Sequence, residues 1–329
     1  MKRLILTSSS GFDLAKSGLT EIVVAFSFRF QWGPLPSPEM LAAYFSARSE
    51  TLGPGDHWSD WGIHWPRVVR DGKDLSFVDF CELYDVIELW FDPSPQDQLQ
   101  LIWLLDYLSS HSGPAQKLKL RLVTDDLILM RSEELRQSAS HIPAFVVTLR
   151  ELETARMAWQ AYRAPTPEAC VKLLSSDLSA LLMLRPALLN LLAELPSPST
   201  GLGATEMRFL ELLSRGFANT NALFHLRSQR RTYVFGEFEL GSLLEGLALG
   251  PRPAVAGLGD ELRAIDQGNL GARHEVYLRS RLSLTEFGKT LLAHQEDFSR
   301  HNPIDRWWGG THLTNDRLWR YGPGLTKPS

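Results

Sequence analysis

Val86-Ile87-Glu88-Leu89-Trp90-Phe91-Asp92-Pro93-Ser94-Pro95-Gln96-Asp97-Gln98-Leu99 is the stretch on which the fold turns. Asp85 to Phe91 reads as a strand, apolar throughout its second half. Asp92-Pro93-Ser94-Pro95 breaks it. From Gln96 to Leu108 the apolar residues Leu99, Ile102, Trp103 and Leu105 then recur at helical spacing. Strand, turn and helix in immediate succession are part of a βαβ unit, and neighbouring segments repeat the order.

Toward the N-terminus, Lys2 to Thr7 predicts a first strand, followed by small polar residues and a short helical stretch near Asp13 to Ser17. The apolar run stops at Thr7-Ser8-Ser9-Ser10, too early for the core of a signal peptide. Glu21 to Phe26 predicts a second strand, apolar almost throughout, as in a parallel sheet covered on both faces. Gly33 to Pro38 is a turn, and Ser37 or Pro38 opens a helix over Glu39 to Glu50. An aromatic insertion follows, in which Trp58, Trp61 and Trp65 would share one helical face as core or docking surface. Leu118 to Val123 predicts a fourth strand.

Toward the C-terminus the pattern becomes helical. Thr148 caps a segment that ends near Arg163, Ser179 to Glu194 is a strongly apolar helix, and Pro196 to Gly201 reads as a linker. Helices over Thr205 to Arg215, Thr220 to Ser228 and Phe238 to Leu249 precede an extended stretch at Glu275 to Leu278. A closing helix begins at Leu284-Thr285-Glu286-Phe287-Gly288. That succession resembles a winged helix-turn-helix. The expected fold class is therefore α/β plus α: a small parallel Rossmann-like sheet of about four strands, then a helical half with a winged-helix-like module. The expected division is an α/β domain over 1–147, a helical connector over 148–200, the module over 201–300 and an aromatic tail over 301–329.

Several segments, in order along nearly the whole chain, together resemble a bacterial family known as domain of unknown function 1835. They are Trp90-Phe91-Asp92 with Asp97-Gln98-Leu99-Gln100-Leu101, Gly33-Pro34, Ala158 to Pro165, Glu194 to Ser197, and Ile304 to Leu313. The resemblance implies the architecture and brings no established activity. Where members of that family tend to carry Asn-Gly-Asp-Ser after the first strand, this chain has Ser8-Ser9-Ser10-Gly11. Where they often have Arg-Asp before the Gly-Pro, it has Ser27-Phe28. Any chemistry those acids perform in the family is absent from this member.

Composition narrows the function classes. With 329 residues and 44% of them hydrophobic, the chain can bury the cores of about two domains. No stretch approaches the roughly 20 apolar residues of a membrane span. A net charge of -4 lacks the footprint of a phosphate-neutralising protein and disfavours nucleic acid. Glu237, Glu239 and Glu245 on the third module helix would face phosphate at a Coulombic cost, and Arg227, Arg230 and Arg231 before it offer backbone contacts only. The two cysteines, Cys81 and Cys170, lie far apart, as expected of buried thiols in the cytoplasm rather than a disulfide or zinc set. His57 and His64 have no partner cluster for a metal.

In a parallel sheet, ligands bind beyond the carboxyl ends of the strands. Ser8, Ser9 and Ser10 form a polar turn there that can present N–H groups to an anion, although G-x-G-x-x-G and P-loop spacings are absent. Asp92 and Asp97, with Gln98 beside them, flank a helix start and suit either a divalent ion or general acid and base work. The local alternative is that Asp92 closes the Asp-Pro turn and Asp97 favours the helix dipole. Arg306 and His312 lie in the tail Asp305 to His312, which either completes a pocket on the α/β domain or anchors the chain through Trp307 and Trp308. The sequence therefore points first to a non-catalytic or degenerate binding protein for a small phosphorylated ligand or a protein partner. A metal-dependent nucleotide or phosphoester enzyme and a winged-helix transcriptional regulator are the alternatives. The sequence leaves any cofactor unknown.

Overall fold

The computed structural model describes residues 1–61, 72, 74–225 and 234–328, without the side chains of Ser10, Trp61 and His225. His64, Trp65, Arg227, Arg230 and Arg231 lie outside the described residues. Two compact units make up the chain: Met1–Phe30, Pro34–Ala164 and Lys172–Ala187 form the first, and Gln31–Gly33, Pro165–Val171 and the residues from Leu188 onward form the second.

The first unit is built on β1 (Arg3–Ser8), β2 (Ile22–Phe26), β3 (Val86–Phe91), β4 (Leu118–Leu122) and β5 (Ala144–Val146) in the order β2-β1-β3-β4-β5. The first four strands pair in parallel, with Leu6 between Val24 and Leu89. All residues of β2 and β3 are buried, so both strands read as apolar runs rather than alternating ones. The acid in β3 is held by partners: Glu88 accepts from Arg121 Nε at 3.0 Å and from Trp90 Nε1 at 3.1 Å, with Arg3 3.4 Å away. Burial pushes the Glu88 carboxyl up, and the bonds from Arg121 and Trp90 with the Arg121 and Arg3 charges reverse this and leave it below its ordinary value. β5, antiparallel to β4, is a fifth strand beyond the four expected. Its three residues are exposed at the sheet edge and leave no periodic signal.

On one face of the sheet, α1 (Pro38–Phe45), α2 (Phe77–Glu82) and α3 (Pro95–Leu108) converge on Phe26, whose ring meets Phe45, Phe77 and Trp103 edge-on at 6.0, 5.8 and 5.6 Å. Helix α1 is shorter than the sequence predicts. Ser37 caps it by accepting from Met40 N at 3.2 Å, and it ends at Ser46 rather than Glu50. The other face is covered by the 3-10 segment Ser9–Lys16 and by α4 (Ser132–Ser138), through Leu14, Leu127, Leu135 and Ala139 packed on Ile5, Val23 and Trp90. α5 (Leu149–Tyr162), capped by Thr148 and Glu151, packs along α3. Trp58 is fully buried against Phe77 and Phe80, so this member of the aromatic insertion is core. His57 is buried too, its ring nitrogens on Ser46 O at 2.9 Å and Ser59 Oγ at 2.7 Å.

The second unit contains α6 (Ala204–Ser214), α7 (Thr220–His225), α8 (Glu237–Leu249), α9 (Leu270–Arg279) and α10 (Glu286–Leu292), with a short antiparallel ladder of β6 (Val255–Ala256) on β7 (Ser283–Leu284). Phe209, Leu210, Leu240, Leu244, Val255, Val276 and Leu291 form its core. The segment Glu275–Leu278, expected to be extended, is part of α9. Asn269 caps that helix by accepting from Ala272 N at 3.2 Å, and buried Arg273 ties its middle to Glu245 of α8. The Leu-Thr-x-x-Gly helix start does form: Thr285 accepts from Gly288 N at 3.0 Å, and a side chain at Gly288 would strike the Ala254 carbonyl.

Pro196 to Gly201 is not a free linker. Thr200 O accepts from Phe298 N at 2.7 Å, Pro196 O from Tyr321 N at 2.9 Å and Ser197 O from Arg320 Nη1 at 2.9 Å. Gly201 sits at φ 70°, where a side chain would collide with Asp297. The tail is a hairpin of β8 (Asp305–Trp308) on β9 (Thr311–Thr314), anchored by Trp308 Nε1 on Leu191 O at 2.6 Å. Among the described residues no helix is long and apolar enough to cross a membrane.

Candidate functional site

The parallel order reverses between β1 and β3: the chain leaves β1 toward β2 on one side and β3 toward β4 on the other. Such a reversal opens a crevice at the carboxyl ends of the two central strands. Here those ends are Ser8 and Asp92, and they are tied together first by Thr7, whose hydroxyl donates to Trp90 O at 2.7 Å.

From this point a buried polar relay runs into α3. Asp97 Oδ1 accepts from Ser8 Oγ at 2.6 Å, and its Oδ2 accepts from Asp92 N at 2.9 Å. Asp92 Oδ1 accepts from Ser94 N at 2.9 Å and its Oδ2 from Leu127 N at 3.2 Å. Gln98 Nε2 donates to Asp92 O at 2.7 Å. Ser94 is the N-cap of α3, so each of the two acids holds a backbone N–H just before the helix. The relay is inaccessible: Ser8 is 0%, Asp97 1% and Asp92 2% exposed. Burial pushes the Asp92 carboxyl up, against the pull of the Ser94 and Leu127 bonds.

This geometry decides what the acids can do. Each of the four carboxylate oxygens already receives an N–H or O–H. A divalent ion would have to reach two buried acids whose oxygens already serve the fold. Among the described residues no three His, Cys, Asp or Glu side chains lie where they could hold a metal. The Ser8 hydroxyl faces Asp97, a nucleophile-and-base pairing on paper, but a fully buried serine meets no substrate. Both thiols are equally withdrawn: burial raises Cys170 to about 12 and also pushes Cys81 up.

Next to the relay is the turn after β1, whose Gly11 is itself buried. Ser9 and Gly11 open the 3-10 segment directly after β1, and Ser9 is half-buried. Ser10 lies in the same segment. A side chain on Gly11 would overlap the Thr7 hydroxyl, so the turn closes onto the strand end only with glycine there.

Ser8, Asp92, Asp97 and Gln98 are thus joined in one network in the first unit, while Arg306 and His312 belong to the hairpin of the second. Arg306 pairs with Glu206 at 3.0 Å, and His312 Nε2 meets Asp305 Oδ1 at 2.6 Å with its ring stacked on Trp307 at 4.6 Å. The register sets Arg306 across from Leu313 and Trp307 across from His312, so Arg306 and His312 point to opposite faces of the hairpin. The residues that the sequence alone does not bring to the site are Thr7, Ser94 and the Leu127 N–H. Ser94-x-x-Asp97 carried a signal, being the spacing of a capping box. No protein-family model matches the chain, and no curated protein matches it.

Proposed function

We propose that this chain is a non-catalytic binding protein that takes a small phosphorylated ligand on the turn Ser9-Ser10-Gly11, at the carboxyl ends of β1 and β3. The observation that carries the reading is the state of the two acids at the point where strand order reverses: Asp92 and Asp97 are buried, and each of their oxygens already holds a donor of the fold. Backbone N–H groups opening a helical segment suit phosphate oxygens, and the Ser9 hydroxyl adds a donor. The departure from the family likeness, a serine in place of the one acid after β1, points the same way, since a carboxylate there would repel a phosphate. In the second unit, Glu239 caps Gly236 N at 2.9 Å and Glu245 holds Arg273, so these acids serve the fold, and we read the winged-helix-like succession as a structural module rather than a DNA reader.

The test is a thermal-shift panel of nucleotides, sugar phosphates and inorganic phosphate. A ligand at 100 times its Kd adds about 2.7 kcal/mol. That moves a transition of this size by roughly 2–4 °C for each kcal/mol. The shift should survive Asp97→Asn and vanish in Ser9→Asp, which sets a carboxylate where the phosphate lies. A flat panel, or a shift indifferent to Ser9→Asp, refutes the proposal. Turnover of a phosphoester that is lost in Asp97→Asn would establish the enzyme reading instead.

A further inference from the structure

The second unit holds a cavity of about 560 Å³ between α7, α8 and α9, independent of the crevice in the first unit. Its walls are largely apolar. Phe224 comes from α7 and Phe238 from α8, while Leu270, Tyr277 and Leu278 come from one face of α9. Phe224 and Tyr277 meet edge-on at 5.9 Å. Leu270 and Leu278 are 61% and 55% exposed. Eight residues apart on one helix, they stand about 12 Å from each other at the rim.

The polar groups of the lining limit what the cavity accepts. Arg273 is its buried cation, and its guanidinium is tied to the fold. Nη1 donates to Ile265 O at 2.9 Å and Leu262 O at 3.3 Å, and Nη2 pairs with Glu245, which also takes the Tyr277 hydroxyl. The Arg273 charge is thus neutralised within the fold, exposed Glu237 in the lining opposes an anion, and the imidazole of His274 stands at the exposed edge. Asn221 and Gln267 add uncharged amides at the exposed edge. The volume lies within the range of small-molecule sites, which are apolar with a few placed polar groups.

We infer that this cavity binds an uncharged, largely apolar, ring-bearing small molecule, its apolar body against Phe224, Phe238 and Leu278 and its polar end toward Asn221 and Gln267. Gly241 belongs to the design, because a side chain there would strike the Tyr277 hydroxyl and push that ring into the space.

The probe is N-phenyl-1-naphthylamine, a neutral two-ring dye that brightens in apolar sites, titrated into the full chain. Saturable binding is expected, at least about tenfold tighter than that of its anionic relative 8-anilinonaphthalene-1-sulfonate. Ser242→Trp, which fills the cavity from α8, should abolish the signal. Leu270→Gln, at an exposed position that leaves the fold intact, should weaken it roughly fivefold. Absence of saturable binding, equal or tighter binding of the sulfonate, or an affinity unmoved by Leu270→Gln overturns the inference.

Discussion

Replacing Asp97 by alanine tests the relay most directly. The substitution removes the acceptor for the Ser8 hydroxyl and for the Asp92 N–H, two bonds of 2.6 and 2.9 Å at a residue that is 1% exposed. Hydrogen bonds to a charged group contribute about 1.5–3 kcal/mol each, and donors left buried without a partner incur their full desolvation cost. Part of the loss is offset because a carboxyl group no longer has to be buried. We therefore expect Asp97→Ala to destabilise the first unit by roughly 3–5 kcal/mol. Asp97→Asn keeps one acceptor and can turn its amide toward Ser8 Oγ, so its cost is about 1–2 kcal/mol. Urea unfolding followed by tryptophan fluorescence reads both, since Trp90 and Trp103 are buried in the first unit. A double-mutant cycle with Ser8→Ala should return a coupling of about 1 kcal/mol or more. An Asp97→Ala cost below about 1 kcal/mol would refute the reasoning. The carboxylate would then be dispensable to the fold and available for chemistry.

Gly11→Ala should cost about 1–3 kcal/mol through overlap with Thr7, and clearly less in a Thr7→Ala background; additive urea midpoints would exclude the clash as the cause. Glu194 is buried with Thr205 as its partner, and burial raises its carboxyl above the ordinary 4.5. Its protonated form is favoured in the folded state, so its contribution is complete below pH 4.5 and is lost as pH rises through the higher folded value. Glu194→Gln should therefore gain stability relative to the parent as pH rises above 4.5; a difference constant with pH would count against this. Arg273→Met strands Glu245 and two carbonyls, and we expect a loss of about 3–5 kcal/mol in the unfolding of the second unit, with Arg273→Met/Glu245→Leu recovering much of it. An uncorrected double variant would show that the pair is not the unit of stabilisation.

β2 and β3 were legible because every residue of both is buried, which leaves Ile22–Phe26 and Val86–Phe91 as apolar runs interrupted only by Glu88. β5 was not, because three exposed edge residues have no periodicity to read. At α9 local and tertiary preferences disagree. Val276-Tyr277-Leu278 is a strand-like run, and it is helical because Asn269 caps the segment and Arg273 reaches Glu245. The carboxyl-end residues were found by a topological rule, yet the sequence could not say whether Asp92 and Asp97 point outward or inward. That depends on Ser8 and Leu127, 89 and 35 residues from their respective partners. Arg306 and His312 stand out in the sequence as polar groups beside Gly309-Gly310, and only the strand register reveals that they face apart.

The knot at Pro196 to Gly201 bears on how the chain is made. Its carbonyls close onto Phe298, Arg320 and Tyr321, so the turn cannot reach its final form until translation has passed Tyr321, 120 residues after Gly201. At about 5–20 residues per second, that interval is roughly 6–24 s. Throughout it, the leucines of the second core wait for their last strap while the first unit, complete at Ala187, is free to fold. Nascent chains stalled between Gly201 and Tyr321 are accordingly the species most exposed to chaperones and proteases, and rare codons within that window would be the least tolerated in this gene.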